Sequence, residues 1–69
     1  MKYLKLDSAY YNADLISSII EAPYLGNRKQ ITVEIGNKNV KLLMSAMDFI
    51  NKMESPGTKV VDLTTYYQS

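Results

Sequence analysis

The side chains in this sequence that could move a proton are carboxylates: Asp7, Asp14, Glu21, Glu34, Asp48, Glu54 and Asp62. No His is present to titrate near neutral pH, and no Cys to serve as nucleophile or metal ligand. General acid–base catalysis or a hard-cation site needs at least two carboxylates held close together, and local spacing sets no two of these side by side. Their positions suit solvated charges and caps. Gly26, Gly36 and Gly57 fall in three separate turns, so no glycine-rich loop is available to cradle a phosphate. The expectation is a chain that is not an enzyme, with no catalytic residues, no metal and no cofactor.

Binding chemistry is better represented. Tyrosine is the one over-used type, six copies against a single Phe and no Trp, and four of them stand as the pairs Tyr10-Tyr11 and Tyr66-Tyr67. A Tyr side chain offers a large apolar body, a polar tip and few rotatable bonds, which suits it to protein contacts. Residues 64–69, Thr-Thr-Tyr-Tyr-Gln-Ser, carry no charged side chain and could lie along a partner or extend a sheet edge. The methionines Met44, Met47 and Met53 read as core filler. A second set could bind anions: Tyr3 and Lys5 on a first strand, Lys41 on a later one, and Arg28-Lys29, the only adjacent basic pair. An aromatic beside lysines on an open sheet face can stack and neutralise a single-stranded nucleic acid. A net charge of +1 gives that idea no help from a global field.

The elements that would place these residues follow from the apolar pattern. Lys2 to Leu6 alternates, with Leu4 and Leu6 on one face and Tyr3 and Lys5 on the other, as in a strand. Ser8 or Asn12 can cap a following helix, Asp14 suits its first turn, and Leu15, Ile16, Ile19 and Ile20 form a stripe at helical spacing that ends before Pro23. Tyr24 to Gln30 is a linker with a turn at Gly26-Asn27.

Residues 31–44 carry the strongest signal. With Gly36–Asn39 as a four-residue turn, Ile35 faces Val40, Val33 faces Leu42 and Ile31 faces Met44, so six apolar side chains fall on one side of a hairpin. The other side then pairs Glu34 with Lys41 and Thr32 with Leu43, and Leu43 is the one apolar residue left on the open face. Ser45 and Asp48 have capping-box spacing ahead of Ala46, Phe49, Ile50 and Met53, which predicts a second helix. Pro56-Gly57 stops it, and Lys59–Leu63 reads as a last strand. The rival for the middle of the chain is one long helix over residues 40–54, capped by Asn39.

The predicted order, β-α-β-β-α-β, is that of the split βαβ, or ferredoxin-like, arrangement: an α+β fold with an antiparallel sheet covered on one face by two helices. Residues 1–69 make one domain, small enough that without disulfide or zinc it draws stability from its core or a second subunit. No segment has signal-peptide character or the ~20 apolar residues of a membrane span, and the cysteine-free composition fits a cytoplasmic protein.

The function expected from these features is a small interaction module that binds another protein, acts as a homo-oligomer, and serves as a regulator or inhibitor of the kind phages and mobile elements encode. Its contacts would be Tyr10, Tyr11, Leu43, Tyr66 and Tyr67. The alternatives are a single-strand nucleic-acid binder using Tyr3, Lys5, Arg28, Lys29 and Lys41, or an oligomer that sequesters a small anionic ligand such as a nucleotide between subunits.

Overall fold

The computed structural model describes residues 1–68. Their strands are β1 (Tyr3–Leu6), β2 (Ala9–Asn12), β3 (Ile16–Pro23), β4 (Lys29–Ile35), β5 (Lys38–Leu42), β6 (Val60–Asp62) and β7 (Tyr67–Gln68), with the α-helix α1 (Ala46–Met53) between β5 and β6. Short 3-10 turns at Ala13–Leu15 and Thr64–Tyr66 lead into β3 and β7. The strands form two sheets, β2-β1-β6 and β3-β4-β5-β7. This overturns the ferredoxin-like expectation, which needs two helices over one sheet and finds here a mostly β fold with one α-helix among the described residues.

The helix expected before Pro23 is the strand β3, and the reason for the misreading is local. Pairing of β3 with β4 runs in register from Ser18↔Glu34 to Pro23↔Lys29 but shifts between Ile16 and Ser18, where Ile16 pairs with Ile35. A bulge inserts one residue, so Ile16 and Ile19, three apart, come to share a face of the strand. Three-residue spacing is also helical spacing, and the bulge therefore mimics an amphipathic helix in the sequence. The Ser17 hydroxyl donates to Glu34 Oε1 at 2.8 Å and ties the bulged segment to β4.

The hairpin of β4 and β5 forms with the expected faces and a different register. Ile31 pairs with Leu42, Val33 with Val40 and Ile35 with Lys38, around a two-residue loop, Gly36-Asn37. Gly36 has φ 57°, as a tight primed turn requires at its first central position. Because strand side chains repeat every two residues, the two-residue change leaves each one on its face. Ile31, Val33, Ile35, Val40, Leu42 and Met44 are all buried. The pairings on the other side change: Glu34 faces Asn39 and Lys41 faces Thr32.

β5 ends at Leu42, which removes the rival long helix over 40–54, and α1 starts where Ser45 caps it. Ser45 Oγ accepts from the Asp48 N–H at 3.1 Å. Glu21 of β3 adds a second partner, its Oε2 accepting from the Ala46 N–H at 2.9 Å. At the other end Lys2 Nζ donates to the carbonyls of Met53 and Ser55, a cation on the negative end of the helix. Phe49 is the buried residue of α1; taking such a side chain out of water contributes about 1.5–3 kcal/mol.

One core serves both sheets. Leu4, Leu6, Val61 and Leu63 join the buried faces of β4 and β5 and Phe49 in a single cluster. β6 lies parallel to β1, Tyr3 opposite Val60 and Leu4 opposite Val61. From there the chain crosses between sheets: the Leu63 N–H donates to the Lys5 carbonyl at 3.1 Å, and the Leu43 N–H to the Tyr66 carbonyl at 2.8 Å.

Candidate interaction surface

β3 lies at the end of its sheet and pairs with β4 alone. Its outward edge is therefore a row of backbone groups without a strand partner among the described residues. The other strand edges are much shorter: β2 has four residues, β6 three and β7 two, against eight in β3. Proteins usually protect such an edge with lysines, proline or a bulge. Here the bulge sits at one end and Pro23 at the other, and between them Ser18-Ile19-Ile20-Glu21-Ala22 carries one charge, on Glu21, which is already turned to the start of α1.

Apolar side chains gather along this edge. Ile20, opposite Thr32 on the sheet face away from the core, is 62% exposed, and Leu15 and Leu25, which flank the strand, are 56% and 71% exposed. On the core side an open groove of about 340 Å³ lies between β3 and α1, lined by Ile16, Ile19, Phe49, Ile50 and Met53, with Lys2, Asp14 and Glu54 also in its wall. Asp14 in the turn before β3, Arg28 in the loop after it and Lys29 at the start of β4 are exposed, an acidic group near one end of the strand and a basic pair near the other.

The residues expected to contact a partner are dispersed. Tyr10 on β2 is exposed, with Lys5 Nζ 6.0 Å from its ring centroid. Tyr11, Tyr66 and Tyr67 are half-buried and pack against the core. Tyr67 also pairs with Leu42, adding β7 to the sheet. Leu43 is half-buried in the bend after β5, its N–H engaged by Tyr66. Three of the tyrosines therefore have a share in the fold itself.

The alternative set is not brought together. Tyr3 and Lys5 lie on β1 in one sheet, Lys29 and Lys41 on β4 and β5 in the other, and Arg28 stands before β4 with its guanidinium 5.9 Å from the Tyr24 ring. Strand alternation from Ile31↔Leu42 sets Lys29 and Lys41 on opposite faces. Lys5 is further committed to Asp62, Nζ to Oδ2 at 3.7 Å.

The Asp62 carboxylate has a lowered proton affinity. It accepts from the Thr64 hydroxyl at 2.6 Å and from the Thr64 N–H at 3.0 Å, and these bonds, more than the nearby Lys5 ammonium, hold its pKa below the usual value. That is a solvent-facing turn lock. Among the described residues no cluster of three or more His, Cys, Asp or Glu could hold a metal ion, and no helix is long and apolar enough to cross a membrane.

Sequence reasoning missed Ile20, Leu15 and Leu25 because it placed two of them on the buried stripe of a helix. The usable signal was the three β-branched isoleucines of Ile16-Ser17-Ser18-Ile19-Ile20, which favour a strand over a helix. No family model, no curated protein and no solved structure matches this chain.

Proposed function

We propose that this chain is a small non-enzymatic module that works by protein–protein interaction, with the outward edge of β3 as its contact surface. The observation that carries the reading is the length of that edge: eight residues of strand, flanked by exposed Ile20, Leu15 and Leu25. An added strand would gain backbone hydrogen bonds from the edge, and its alternate side chains would meet Ile20 on one side and the β3–α1 groove on the other. A cytoplasmic setting is part of the proposal, since the chain has no Cys and takes nothing from an oxidising compartment. The scattered lysines give the nucleic-acid alternative no comparable surface.

A photo-crosslinking side chain at position 20 tests this in cells that express the protein. The expected result is a discrete crosslinked protein, either another copy of the chain or a different one, and no such product from the same probe at position 41 on the same sheet face. Equal products at both positions, or none at position 20, would overturn the reading.

A further inference from the structure

We propose that the occupant of the β3 edge is a second copy of this chain, paired antiparallel about a twofold axis at Ile20, so that two four-stranded sheets become one of eight strands. This rests on the reading of β3 as the contact surface and names what fills it. Leu15 and Leu25, both exposed, stand at equal distance in sequence on either side of Ile20, and Asp14 and the Arg28-Lys29 pair lie beyond them. Antiparallel pairing about Ile20 sets the start of one β3 beside the end of the other, twice. Asp14 of each copy then lies toward the end of the partner's β3 that leads to the basic pair, and Leu15 of each toward the other's Leu25. Parallel pairing would bring like charges together at both ends.

The local ladder is compatible with that register. The bulge ends regular pairing at Ser18, and Pro23 lacks an N–H, so the shared ladder covers residues 18–22 of each copy. Directly opposed strand residues point to the same side, so Ile20 meets its own symmetry mate and Ser18 meets Ala22 on the outer face. Ile20 stands on a face that also carries Ser18, Ala22, Thr32, Glu34 and Lys41, and the pairing gives it a second large apolar side chain as neighbour. On the core side Ile19 meets Glu21, whose carboxylate is held by the Ala46 N–H.

The arrangement also closes. An isologous contact uses the same patch on both copies, and the far edge of the extended sheet is β7, only two residues long, which offers little to a third copy. The expected product is a dimer. A ladder of this length buries less than a standard interface, so dissociation falls in the micromolar range or weaker.

Position 20 on the axis gives a test with a built-in rescue. Sedimentation velocity over a concentration series should show a monomer–dimer equilibrium for the wild type. Ile20→Lys and Ile20→Glu each place like charges on the axis and should weaken dimerisation about tenfold or more. Mixing the two variants should restore the dimer. Both substitutions are at an exposed site, and far-ultraviolet circular dichroism checks that the fold is kept. A wild-type dimer unaffected by Ile20→Lys, or variants that fail to rescue each other, would place the interface elsewhere and overturn the proposal. A wild type that stays monomeric up to about 1 mM would overturn it too. In that case a position-20 crosslink to a different protein would leave the interaction reading standing, and no crosslink would remove both.

Discussion

Asp7 and Gly36 occupy the same place in two hairpin turns, each the first central residue of a two-residue loop and each with φ 57°. Only one is a glycine. The left-handed conformation costs a residue with a Cβ roughly 1–2 kcal/mol, less for Asp, whose short polar side chain tolerates it. Asp7→Gly is therefore expected to stabilise the fold by about 0.5 kcal/mol, after the greater chain entropy of glycine is deducted, and Gly36→Ala to destabilise it by about 1 kcal/mol. No atom lies within 4 Å of a Cβ at position 36, so that cost would come from the backbone alone. Urea unfolding of both variants measures the difference; a destabilised Asp7→Gly would show that Asp7 contributes an interaction beyond its N–H bond to Thr64.

The contact between Glu21 and the Ala46 N–H joins the edge strand to α1. A carboxylate on a free helix N–H is a charge-assisted bond at the positive end of the dipole. Glu21→Ala should cost about 1 kcal/mol, and Glu21→Gln less, because the amide oxygen can still accept. Hydrogen exchange provides the local readout: the first turn of α1 should lose protection while the β4–β5 ladder keeps it. Uniform loss would mean that Glu21 matters to the whole fold and not to the helix start.

Asp62 sets an acid dependence whose sign follows from its bonds. Thr64, chiefly through its hydroxyl, lowers the folded-state pKa below 3.8, the ordinary value. Stability from this group is thus fully present above 3.8 and is lost as pH falls through the lowered folded-state pKa. The unfolding midpoints of wild type and Asp62→Asn should differ at neutral pH and converge in acid. A gap that persists at about pH 2 would show that the carboxylate charge is not the cause.

Tyr67 and Tyr10 separate fold from surface. Tyr67 packs on the core and adds β7 to its sheet, so Tyr67→Ala should destabilise by about 2 kcal/mol; Tyr10, 58% exposed, should tolerate Ala within about 0.5 kcal/mol. Thermal unfolding of the two variants makes the comparison. Equal shifts would mean that the exposed Tyr10 ring, stacked near Lys5, contributes as much as a core residue.

The elements that sequence revealed are those whose signal is short-range and redundant. Ser45 could be read as a cap because it is followed by Asp48 and an apolar stripe, and it caps α1 as expected. The hairpin faces were legible because alternation over Ile31–Ile35 survives any even shift in register, whereas the loop length was not, since pairing Ile35 with Lys38 or with Val40 buries the same side chains. β3 was hidden by its bulge, and the parallel union of β1 with β6 left no local trace. Of the candidate surface, Ile20 was visible as an apolar residue and invisible as an exposed one, because exposure depends on which strands flank it.

The β1–β6 pairing sets a time order for folding. Its partners, Tyr3 and Val60, come from opposite ends of the chain, whereas β3, β4 and β5 are joined by short turns. Closing a long loop costs entropy before any contact is gained, so a meander of neighbouring strands is the cheaper nucleus. The expectation is a polarised route in which β3-β4-β5 organises first and β6 docks after the barrier. Val61→Ala should then speed unfolding and leave the folding rate nearly unchanged, while Val33→Ala should slow folding; a slowed folding limb for Val61→Ala would place the chain-end closure in the rate-limiting step.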